Sequence, residues 1–136
     1  MDYPEAVSDF LKSYHWDYFA TITPKHVRRD PIAFMRDVWD DIKPTPGWLP
    51  DSHVNRAFLA CEPFFLGHNL HVHGLIAGDS DVKLPWWFQE GLNGHLGRSR
   101  VELCRSEAQV AAYCSKYVSK FLGGDNYDFF GDWKDS

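Results

Sequence analysis

The sequence predicts an α+β fold, a central antiparallel sheet with helices packed on it. Two observations carry this. Segments of helical and strand periodicity alternate in the order helix, strand, helix, strand, strand, helix, strand, helix, and the two adjacent strands are joined by a short turn. The chain has 136 residues, 44% of them hydrophobic, with ten Phe, six Tyr and six Trp to fill one compact core.

Pro4 to Ser13 reads as a short helix with Val7, Phe10 and Leu11 on one side. Trp16 to Thr23 is rich in β-branched and aromatic residues, reads as a strand and stops at Pro24. Asp30 followed by Pro31 is a helix start, an N-cap and then proline in the first turn, and Ile32, Met35, Val38, Trp39 and Ile42 recur at helical spacing until Pro44 and Pro46. Val54 to Glu62 and Leu70 to Ala77 form an antiparallel hairpin across the turn Pro63 to Asn69. Pro85 to Leu92 is a short helix and Arg98 to Arg105 another strand. Ser106 with Gln109 is a capping box opening a helix to about Phe121, stopped by Gly123 and Gly124. These are four strands.

The net charge is −5, of which −3 falls on residues 123–136, with four Asp and one Lys. The expected organisation is therefore one domain over residues 1–122 and an acidic tail over 123–136. An acidic chain argues against tight nonspecific duplex binding and for a short, defined nucleic-acid site. Cys61, Cys104 and Cys114 are an odd set without paired metal spacing, which points to reduced thiols. No apolar run reaches membrane-spanning length and no signal-peptide core is visible, so the expectation is a cytoplasmic protein with no membrane partner.

Two segments carry chemistry. In His71-Val72-His73 the two imidazoles share one strand face, about 7 Å apart along the pleat, a spacing that lets them grip one divalent ion. Glu62 lies across the hairpin and brings a carboxylate toward them, with His68 of the turn a rival ligand. In the helix, Tyr113, Lys116, Tyr117 and Lys120 fall within one arc of roughly 100°, beside a core face of Val110, Cys114 and Val118. A phenol needs help to act as a nucleophile near neutrality, and an adjacent ammonium group supplies it.

Taken together with Phe19-Ala20-Thr21-Ile22-Thr23, these segments resemble, in the right order, the three motifs of the HUH endonucleases, the rolling-circle replication initiators of small single-stranded DNA phages, viruses and plasmids. The resemblance covers roughly residues 16–122 and implies a central antiparallel sheet of about five strands of the RRM/ferredoxin-like kind, with the two histidines on a central strand and the fifth strand around residues 79–84 or in the C-terminal segment. It implies that His71, His73 and Glu62 bind Mn²⁺ or Mg²⁺, and that Tyr113 nicks single-stranded DNA at a replication origin through a 5′-phosphotyrosyl link. It further implies that Tyr117 is a second nucleophile and that Lys116 and Lys120 assist. No nucleotide-hydrolysing helicase motif is present, so a host helicase and polymerase are the expected partners. Alternative readings are a single-strand DNA transposase of the same class and a nucleic-acid-binding module without cutting activity.

Overall fold

The computed structural model describes residues 3–26, 28, 30–43, 54–61, 71–78, 90, 97–114 and 127–133. Helix α1 (Tyr3–Lys12) leads into strand β1 (Tyr18–Pro24), followed by α2 (Pro31–Ile42), β2 (Val54–Cys61), β3 (Val72–Gly78), β4 (Gly97–Leu103), α3 (Glu107–Tyr113) and β5 (Tyr127–Gly131). The strands form one sheet in the order β4-β1-β3-β2-β5, and every pairing is antiparallel. The fold is thus α+β around a central five-stranded sheet, with the histidine-bearing strand β3 in the middle.

Local chemistry explains the element boundaries. The Asp30 side chain accepts a hydrogen bond from Ala33 N at 3.1 Å, and Pro31 occupies the first turn of α2. Ser106 caps α3 by accepting from Gln109 N at 3.2 Å, while the Gln109 side chain reaches back to accept from Arg105 N. Cys114, the C-cap of α3, keeps helical dihedrals. The expected continuation to Phe121, the helix at Pro85 to Leu92 and the strand around 79–84 lie outside the described residues, apart from Glu90.

The alternation of side chains divides the core into two layers. On one face, Ala57, Leu59 and Cys61 of β2 join Tyr18, Ala20, Ile22, Val72 and Ile76 beneath Phe34, Met35, Val38 and Ile42 of α2. On the other, Phe58, Ala60, Leu75 and Ala77 meet Val7 and Leu11 of α1 and Val110, Tyr113 and Cys114 of α3. β2 is buried on both faces, which explains its unbroken apolar run from Ala57 to Cys61.

The helix α1 departs from expectation at Phe10. Val7 and Leu11 are buried, but Phe10 is 43% exposed. It stacks on Trp133 with ring centroids 5.6 Å apart and meets Tyr14 edge-on at 5.1 Å. Trp133 belongs to the segment read from sequence as an acidic tail, and residues 127–133 of that segment pack as part of the fold. Its strand β5 pairs with β2 from Arg56↔Gly131 to Ala60↔Tyr127. Phe130 packs toward α2 while Tyr127, Phe129 and Trp133 join the opposite layer. Among the described residues of this segment Asp132 is exposed, between the half-buried rings of Phe130 and Trp133.

Gly131 closes this pairing with φ 91°, and a Cβ there would sit 2.3 Å from Asn55 O and 2.8 Å from Arg56 Cα. Gly131→Ala is expected to lower the unfolding free energy by about 2 kcal/mol or more, read by denaturant titration. A second expectation concerns pH. Tyr18 is 1% exposed, and burial first, then the nearby Asp17 carboxylate, push its phenol up to about 12 from an ordinary value of 10. A raised folded pKa favours the neutral phenol, so its contribution is complete below pH 10 and is lost as pH rises toward 12. Unfolding titrations across that window should show a fall in stability that Tyr18→Phe flattens.

Candidate functional site

The site forms where β1 and β3 run side by side. Thr21 is the direct cross-strand partner of His73, and Ile22 that of Val72, so the ladder brings Thr23 beside His71. The contacts follow this register: Thr21 Oγ1 lies 3.2 Å from His73 Nδ1, and Thr23 Oγ1 lies 2.9 Å from His71 Nδ1. Both hydrogen bonds engage Nδ1, on the sheet face that also carries Phe19 and Leu75. His73 is 6% exposed, whereas His71, just before β3, is half-buried.

Tyr113 comes to the same face from α3. Its ring lies 5.7 Å from that of Phe19, tilted by 33°. A cleft of about 390 Å³ opens between β1, β4 and α3, with Thr21, His73, Arg100, Glu102, Gln109 and Tyr113 in its wall. The residue read from sequence as the nucleophile and one of the three read as metal ligands therefore share one cavity, although 40 residues separate them. Arg100 and Glu102 pair at 2.6 Å, both well exposed.

The phenol's setting differs from the sequence expectation in one respect. Tyr113 was placed on an arc of phenols and ammonium groups apart from the core face, but it is only 6% exposed and packs in the layer with Val110 and Cys114. Tyr113 stands three residues after Val110, so the two share a helix face, and Phe19 across the sheet gives the ring an aromatic neighbour. The tyrosine thus meets the cleft from a packed position.

Lys116, Tyr117, Lys120, Glu62 and His68 lie outside the described residues. Among the described residues, no group of three or more His, Cys, Asp or Glu forms a metal-holding cluster. The donor set that is described still fits a divalent cation: two imidazoles of like face, each held through Nδ1, leave Nε2 as the second nitrogen. Glu62 follows Cys61 in the sequence, at the next alternate position after Ala60, the cross-strand partner of His73.

Sequence reasoning missed Thr21 and Thr23 as histidine partners. The signal was present as two hydroxyl residues spaced i,i+2 on one strand, matching the i,i+2 spacing of the histidines on another. Cys61 and Cys114 are fully buried, and all three cysteines are free thiols. Burial pushes the Cys114 thiol above its usual range, against smaller opposing effects from Ser8 and Lys12. Among the described residues, no helix is long and apolar enough to cross a membrane. No protein-family model matches the chain, and no curated protein sequence matches it.

A raised, enclosed thiol is a poor nucleophile. Cys114 is expected to resist iodoacetamide in the native protein at mildly alkaline pH and to react fully in denaturant. Peptide mass spectrometry after each treatment checks this.

Proposed function

We infer that the chain is a metal-dependent endonuclease and strand transferase of single-stranded DNA, with Tyr113 as its nucleophile, acting as a rolling-circle initiator does. The observation that carries this reading is the shared cleft: His73 and Tyr113 line one cavity together with Arg100. His71, His73 and Glu62 would hold Mn²⁺ or Mg²⁺, the imidazoles favouring Mn²⁺. A cation bound there supplies Lewis-acid polarisation of the scissile phosphate.

The chain's own residues then have distinct tasks. The Tyr113 phenolic oxygen attacks phosphorus and gives up its proton. The bond from phosphorus to the 3′-oxygen breaks, and that oxygen takes up a proton to leave as a free hydroxyl. The 5′-phosphate stays esterified to Tyr113. In the reverse transfer a 3′-hydroxyl attacks phosphorus, the strand is rejoined and the phenol is restored. Because packing against Phe19 already fixes the ring, little orientational freedom is lost when the phosphate arrives. Arg100 offers a guanidinium suited to phosphate oxygens. Lys116 and Lys120 are proposed to assist the phenols and Tyr117 to serve a second transfer, on the strength of the motif they share with Tyr113. Unwinding and synthesis are left to a host helicase and polymerase.

Incubation with Mn²⁺ and a random pool of single-stranded oligonucleotides, followed by denaturing electrophoresis, tests the reading. The wild-type chain is expected to retain covalently bound DNA, and Tyr113→Phe to lose at least 100-fold of the adduct, an order-of-magnitude estimate for removal of a nucleophile. His73→Ala should lose the adduct together with Mn²⁺ binding. Full adduct formation by Tyr113→Phe contradicts the assignment of the nucleophile. DNA binding without any adduct favours the binding-module reading.

A further inference from the structure

The two threonines of β1 have no place in the chemistry above, yet each contacts a histidine of the proposed cation site. A neutral imidazole carries one proton, on Nδ1 or on Nε2, and only the unprotonated nitrogen can ligate a metal. A threonine hydroxyl can answer either form, donating to a bare Nδ1 or accepting from a protonated one. In the first case Nε2 carries the proton and is blocked as a ligand; in the second its lone pair is free.

We propose that Thr21 and Thr23 are positioning residues, each accepting a hydrogen bond from the Nδ1–H of its cross-strand histidine and thereby presenting Nε2 of His73 and His71 to a divalent cation. The inference rests on the cation-site reading above and goes beyond it by assigning what fixes the ligands. Three observations carry it. Both contacts, at 3.2 and 2.9 Å, fall on Nδ1. Both come from one strand at the spacing of the histidines, with Thr21 paired directly to His73. His73 is 6% exposed, so its ring is oriented by protein groups more than by solvent, and the Thr21 hydroxyl is one of them.

Valine at either position would suit a β-strand equally well on conformational grounds. The hydroxyl is the part of the threonine side chain that valine lacks, and its removal should weaken cation binding without rebuilding the sheet. Outer hydrogen-bond partners of metal-bound histidines typically contribute about 10–100-fold in affinity.

The test has two readouts on the full chain. Long-range ¹H–¹⁵N spectra of histidine-labelled, metal-free protein at mildly alkaline pH report the tautomer directly. Both His71 and His73 are expected as the Nδ1–H form; the Nε2–H form at either position overturns the assignment there. Calorimetric titration with Mn²⁺ is then compared for wild type, Thr21→Val, Thr23→Val and the corresponding serine variants. Each valine variant is expected to bind about tenfold more weakly, and each serine variant to restore wild-type affinity. Wild-type affinity in the valine variants overturns the proposal while leaving the cation site standing. A wild-type chain that binds no Mn²⁺ overturns the cation site itself, and the positioning role with it.

Discussion

The register of β1 against β3 governs what the functional face can present, because side chains alternate along a strand with a period of two. With Thr21 opposite His73, two hydroxyls and two imidazoles share the face that Tyr113 reaches from α3. A slip of one residue would set Ile22 against His73 and turn the threonines toward α2, into a layer of Ile, Val and Met side chains. That layer is what forbids the slip. Ile22 is fully buried under α2 and Tyr18 nearly so, and turning Ile22 out of that layer would forfeit about 1.5–3 kcal/mol. The apolar face thus fixes the geometry of the polar one.

Position in the sheet adds to this constraint. β3 is flanked by β1 and β2, which are themselves flanked by β4 and β5, so the histidine strand is the most enclosed of the five. Asp17 ties the entry of β1 to both neighbours: its backbone N–H donates to Ile76 O at 2.9 Å, its carbonyl accepts from Cys104 N at 2.8 Å, and its carboxylate accepts from Gly78 N at 2.8 Å. Nearby, Arg56 is buried under the rings of Tyr14 and Trp16, at 4.8 and 5.2 Å from their centroids, and donates to His15 O at 2.7 Å. Burial draws this guanidinium below its usual pKa, with Tyr14, Asp17 and Asp132 acting in the opposite direction. These contacts gather the start of β1 and the end of β5 into one unit at the end of the sheet away from the histidines.

Much of this was legible in the sequence wherever a local rule decides the outcome. Asp30-Pro31 marked the start of α2, Ser106 and Gln109 marked that of α3, and strict alternation put His71 and His73 on one face. The hairpin of β2 and β3 followed from two apolar runs about a short turn. What escaped depends on partners distant in the chain. Tyr113 lies at the border of two helix arcs, and only the arrival of Phe19 across the sheet decides that its ring is packed. The C-terminal segment was only one of two places offered for a fifth strand, because the place of β5 in the sheet depends on Phe129, Phe130 and a glycine at positive φ meeting β2. The threonine–histidine contacts required a register that neither strand specifies alone.

The proposed activity depends on one cleft that His73 and Tyr113 share, with His71 on the same strand face as His73. The most direct test is to titrate the labelled protein with Mn²⁺ and follow paramagnetic broadening of its side-chain resonances. The account predicts that His71 and His73 broaden first, with the Tyr113 ring next, and that Asp37, Asp40 and Asp41 on the opposite side of the sheet remain sharp. Broadening centred on those aspartates, or none anywhere at millimolar Mn²⁺, would contradict it.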